Sequence, residues 1–164
     1  MFRIIYFLYF LILTQLTSCG VGYYLHLFKG QLNIVTSTTD VKYFRDATKD
    51  STILKKLVIV DSLLVFANEI GLNTRNNYQS YFDTQGEPIS WNVSASQPDT
   101  FKSFLWEFPI VGSVPYKGFF DKNRAQSEYS RLKALNYDVH MAPISAYSTL
   151  GYFSDPLLST MLTL

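Results

Sequence analysis

Few side chains in this sequence stand where they could do chemistry. Its two histidines, His26 and His140, fall in separate predicted elements. No cluster of Cys, Asp or Glu at metal-ligand spacing accompanies either of them, so both read as structural. Neither G-x-S-x-G nor an S-x-x-K at a helix start occurs, which removes the usual routes to an activated serine, and no glycine-rich phosphate loop supports nucleotide chemistry. Asp121 and Asp155 each sit at an expected helix start, where a carboxylate caps the first orphan N–H groups. What remains is a polar, aromatic turn from Tyr147 to Gly151, with Ser148 inside it, which either lines a cleft or only joins a strand to a helix. Tyr116, Tyr147 and Tyr152 could line a peptide-binding cleft, or they are ordinary core and rim residues. The expected substrate-contacting set is Tyr116, Tyr147, Ser148 and Gly151, with no catalytic and no metal-ligating residue.

The elements that must position these residues are predicted from periodicity. Tyr24, Leu27, Phe28, Leu32 and Val35 recur at helical spacing, predicting a helix over Val21 to Val35 that Gly30 weakens by up to about 1 kcal/mol. Asp40 caps a short helix through Phe44. Asp50 or Ser51 starts a longer one with Ile53, Leu57, Val60, Leu64 and Ala67 on one face, widened by Leu54, Val58 and Leu63 and stopped by Gly71. Beyond it the period shortens, and Tyr78–Asp83, Ile89–Ala95, Phe104–Phe108 and Tyr116–Phe120 read as strands with turns at 84–88, 96–100 and 109–115. A helix capped by Asp121, with Ala125, Tyr129, Leu132 and Leu135 on one face, and a strand over Tyr137–Met141 follow. The expected class is α+β: N-terminal helices, then a mainly antiparallel sheet with one further helix. Asp155 and Pro156 predict a last helix whose Leu157, Leu158, Met161 and Leu162 share a face. Ending after roughly two turns, it reads as truncated, with that face left uncovered.

Composition sets the frame. The 164 residues are 48% hydrophobic and 16% charged, as for one folded domain rather than a disordered chain. Arg3 followed by the apolar run Ile4–Leu13, too short for the roughly 20 residues of a membrane span, reads as an export signal over residues 1–18. Leu16-Thr17-Ser18-Cys19 resembles the lipobox of bacterial lipoproteins, which implies a lipid anchor on Cys19 and a domain over 19–164. Gly20 rather than Asp after it implies an outer-membrane lipoprotein facing the periplasm. The leader holds one of the 14 basic residues and none of the 13 acidic ones, so its removal balances the charge and leaves no basis for nucleic-acid binding. With Cys19 the only cysteine, no internal disulfide is possible.

Several segments together resemble a family of predicted bacterial aminopeptidases. They are Gly22-Tyr23-Tyr24 after the lipobox, Phe66-Ala67-Asn68-Glu69-Ile70-Gly71-Leu72, Tyr78-Gln79-Ser80-Tyr81, Trp91-Asn92-Val93, and Trp106 through Gly112. Tyr116 through Asp121, Tyr137-Asp138-Val139, Ala146 through Phe153 and Asp155-Pro156 continue the series in the same order. The resemblance implies that the next element of the full-length family carries H-E-x-x-H, two histidines holding zinc and a glutamate activating its water. This sequence contains no such motif. The expected role is thus the N-terminal scaffold and cleft wall of a zinc aminopeptidase, inactive alone, with a peptide substrate and the missing C-terminal portion as partners besides the lipid bilayer. Zinc is implied for the full-length family and none for this chain. The alternative is a non-enzymatic outer-membrane lipoprotein that binds a peptide or protein.

Overall fold

Residues 19–109 and 111–163 are described by the computed structural model. The expected signal peptide, residues 1–18, lies outside them. Helix α1 (Cys19–Thr36) extends the predicted segment by a few residues. Gly30 has a packing reason: a Cβ there would fall inside the Phe120 ring, so the glycine lets helix and ring approach each other. Asp40 caps α2 (Val41–Ala47) by accepting from Lys42 N, and Asp50 caps α3 (Ser51–Glu69) by accepting from Thr52 N and Ile53 N. Gly71 at φ +84° ends α3 as expected. The apolar face of α3 differs from expectation, because Leu57 is buried while Val58 and Leu63 are 60% and 59% exposed. Ile59, Val65 and Phe66 are exposed with them, since α3 is apolar nearly all round and only one side meets the core.

The fold is α+β, with five helices and mainly antiparallel pairing among the described residues. Strand β1 (Thr39–Asp40) pairs antiparallel with β2 (Ser80–Phe82). A second sheet places β3 (Ser90–Ser96) between β6 (Tyr116–Phe119) and β7 (Asp138–Ile144), both antiparallel to it. Between them β4 (Trp106–Phe108) and β5 (Gly112–Val114) form a hairpin. Strand β5 falls in the stretch expected to be only a turn. Helix α4 (Lys122–Ala134), capped by Asp121 through Asn123 N and Arg124 N, packs Ala125 and Leu132 onto Val93, Ala95, Trp106 and Phe119 of the second sheet and hairpin.

The C-terminus overturns its prediction. Leu157–Leu158 is a strand, β8, parallel to β2 with Tyr81 opposite Leu157 and Phe82 opposite Leu158, and the last helix, α5 (Ser159–Thr163), begins only after it. Asp155 caps no helix. The residue before a proline is held extended, and an open strand edge at β2 takes up the two leucines. Extended backbone sends neighbours to opposite faces, so Leu157 joins Val41, Leu57 and Leu162 in one cluster while Leu158 joins Ile34 and Ile89 in another. Leu157, Leu158 and Leu162 are 2%, 1% and 4% exposed, so the uncovered patch expected here is absent.

Candidate functional site

The turn from Tyr147 to Phe153 is built around the carboxylate of Asp155, 6% exposed. Its Oδ1 accepts from Thr149 N at 3.0 Å and Thr149 Oγ1 at 2.7 Å, and its Oδ2 accepts from Ser148 Oγ at 3.1 Å. Ser148 Oγ in turn accepts from Leu150 N at 3.1 Å. The two carboxyl oxygens supply the acceptor sites on which these three donors converge. The loop after α3 closes the turn from the other side: Asn77 Oδ1 accepts from Asp155 N at 2.9 Å, Tyr78 N donates to Asp155 O at 2.8 Å, and the Arg75 guanidinium donates to Gly151 O. Arg75, Tyr78 and Leu150 all hold positive φ, at 48°, 61° and 54°, each costing on the order of 1–3 kcal/mol that this network offsets. Leu150, Tyr152 and Phe153 project from the pinned turn into solvent.

The four expected substrate residues do not come together. Ser148, with its hydroxyl engaged at both ends, and Gly151, at φ +80°, belong to the turn. Tyr147 is half-buried, packs edge-on against Phe120 and donates its OH to Gln31 Oε1 at 2.8 Å; burial, offset in part by that bond, pushes its phenol up to about 12. Tyr147 is therefore a brace between the turn and α1. Tyr116 is exposed at the start of β6, opposite Ser94, which His140 faces from the other side, whereas Tyr147 follows the other end of the sheet, where Ser90 faces Ile144.

Two concavities stand apart from those four residues. The larger, about 480 Å³, is lined by Asn33 and Ser37 at the end of α1, by Phe82, Asp83, Thr84 and Gln85 at the carboxyl end of β2, and by Pro88 and Ile89. Its loop is fixed by Asp83 Oδ1 accepting from Gln85 N at 2.8 Å and by Thr84 N donating to Ser159 Oγ at 2.8 Å. The smaller, about 340 Å³, includes Ser94, Ser96, Lys133, Asp138 and His140. In the sequence the residues 84–88 carry turn signals alone, and their role as a cleft wall depends on β8, which brings Ser159 beneath them.

Among the described residues, His26 and Glu128 are the imidazole and carboxyl with shifted titration inside the packed fold, and both are held by structural bonds. His26 Nε2 accepts from Phe120 N at 3.1 Å, and burial followed by the charge of Arg124 lowers its pKa below the usual imidazole value despite Asp121. Burial pushes the Glu128 carboxyl up. Hydrogen bonds from Arg131 and from Trp106 Nε1 and the charge of Lys117 outweigh it, so Glu128 is held below the carboxylate range as a structural anchor. The zinc that the family resemblance implies does not fit the residues at hand: His26, on α1, is occupied, His140 lies on β7, and among the described residues no three His, Cys, Asp or Glu cluster to hold a metal. No described helix is long and apolar enough to cross a membrane.

No curated protein and no solved structure matches this chain. The family model described as "Putative aminopeptidase" matches residues 22–164, from the first turn of α1 through the braced turn and β8. Because that match takes in nearly every element positioned above, the chain belongs to the putative aminopeptidase family.

Proposed function

We propose that this chain is the substrate-handling scaffold of a zinc aminopeptidase of the bacterial envelope, held at the outer membrane through Cys19 and facing the periplasm. The observation that carries the reading is the family match over residues 22–164. The cleft between α1 and β2 supports it chemically: Phe82 and Ile89 give an apolar floor for a side chain, Asn33 and Gln85 can pair with peptide amides, and Asp83 at the mouth offers a carboxylate to a free α-ammonium group. The Tyr147–Gly151 turn lies outside the cleft and bears on it only through Tyr147, whose OH donates to Gln31 of the helix that borders it. Zinc and the general base are assigned to a C-terminal portion that would complete the site, so the purified chain is inactive by itself.

The test pairs turnover with binding. The purified chain, with zinc added, is expected to release no amino acid from aminopeptidase substrates. A leucyl peptide with a free amine should bind more tightly than its N-acetylated form by up to about fivefold, the worth of one exposed ion pair, and Asp83→Asn should abolish the difference. Metal-dependent turnover overturns the scaffold assignment, and equal binding of both peptides removes the role given to Asp83. The second reading, a non-enzymatic lipoprotein that binds a protein, draws on the exposed Val58, Ile59, Leu63 and Phe66 side of α3. It gains if neither peptide binds.

A further inference from the structure

Helix α1 is apolar on two sides for two different reasons. Its inner side carries Tyr23, His26, Gly30 and Ile34. They meet Phe119, Phe120 and the Ile89–Leu158 cluster. On the outer side, Leu25, Phe28, Leu32 and Val35 recur at steps of three, four and three residues. They are 63%, 67%, 49% and 51% exposed, with Tyr24 alongside. Packing within the fold accounts for the first side and leaves the second without a partner among the described residues. Lys29, next to Phe28, is the one charged residue of the helix, and α1 contains no Asp or Glu.

We infer that the outer stripe of α1 lies in the interface of the bilayer, with Leu25, Phe28, Leu32 and Val35 below the headgroups and the helix axis parallel to the membrane. The inference rests on the membrane-anchor reading of the N-terminus and adds an orientation to it. What selects lipid over another occupant is where the remaining chain joins. The helix starts at Cys19. On the lipobox reading Cys19 carries the acyl chains, so a membrane-seeking group leaves from the N-terminal end of the stripe. The stripe then lies within the roughly 27 Å length of one 18-residue helix from the bilayer. A tethered surface binds at high effective concentration, so four apolar side chains suffice where a free helix would need more. An uncompensated Lys29 and the absence of acidic residues on α1 suit an anionic lipid surface. The interfacial arrangement also turns α4 and the second sheet, which pack behind the inner side of α1, toward the aqueous side.

The full chain carrying Phe28→Trp, reconstituted with vesicles of phosphatidylethanolamine and phosphatidylglycerol, tests this directly. Trp91 and Trp106 supply a constant background that the native chain measures separately. Trp at 28 is expected to shift to the blue and to be quenched at least twofold by lipids brominated midway along the acyl chain. Adding Leu32→Glu should restore most of the emission while the protein still sediments with vesicles. Sedimentation without quenching overturns the interfacial helix and spares the anchor. Failure to sediment overturns both. A blue shift in the absence of lipid, together with a dimer in equilibrium sedimentation, overturns the proposal in favour of a second copy on the same stripe.

Discussion

Asp155 shows how one residue type supports two readings that only tertiary contacts separate. An aspartate before a proline is a sound helix-cap signal, yet the donors it meets are Ser148 and Thr149, several residues upstream, and no window around Asp155 reveals them. Because hydrogen bonds to a charged acceptor contribute about 1.5–3 kcal/mol, Asp155→Asn is expected to cost about that much and to loosen the turn. Chemical denaturation gives the loss, and faster amide exchange at Thr149 and Leu150 locates it. His26 carries the pH dependence that this scale can predict. Its folded pKa lies below the unfolded value of about 6.5, so its contribution is fully present above that pH. As pH falls below 6.5 the unfolded state takes the proton first, and stability is lost down to the folded pKa. Burial is the main cause and the Arg124 charge the second, and the geometry agrees, since the Nε2 lone pair already accepts the Phe120 N–H. Urea titrations between pH 7 and pH 5 should show the decline in the native chain and a shallower one in His26→Gln.

Among the elements, those with local signals were readable and those made by partners were not. Asp50 and Asp121 cap α3 and α4 through N–H groups two and three residues on, contacts that the sequence spacing alone contains. Alternation likewise placed β3, β6 and the start of β7. Strand β8 exists because β2 has an edge to fill, and β5 exists because Trp106–Phe108 can fold back onto Gly112–Val114, so neither shows a period of its own. Gly30 gives the sharpest contrast. Helix propensity alone predicts that Gly30→Ala stabilises α1 by up to about 1 kcal/mol, whereas the Phe120 ring occupies the position of the added methyl. Overpacking of that kind costs about 1–3 kcal/mol, so the variant should melt lower than the native chain; a rise in Tm would mean that Phe120 can step aside.

At the scale of the molecule, β8 is where the parts join. Its two leucines enter different clusters, and Met161 beyond them packs against both, so the side of the core formed by α2 and α3 and the side formed by α1 and the start of β3 share a seam two residues wide. The candidate cleft depends on the same seam, since Ser159 holds Thr84, which explains why the cleft was not legible from residues 84–88. Leu157→Ala and Leu158→Ala should each cost about 2–5 kcal/mol, the range for a leucine deleted from a close-packed interior. If the seam couples the clusters, either variant lowers the stability of the whole molecule and unfolding stays a single transition. The check is a urea titration read twice, by tryptophan emission and by far-ultraviolet circular dichroism. Trp106 packs in the third cluster beside Val93 and Leu132, remote from both substitutions, whereas the dichroism is dominated by the helices. Coincident curves with an unchanged slope establish one cooperative unit in which the turn, the cleft and α1 are fixed relative to one another. An early helical transition in Leu157→Ala that leaves tryptophan emission native would instead make α3 and its exposed apolar side a separately unfolding part.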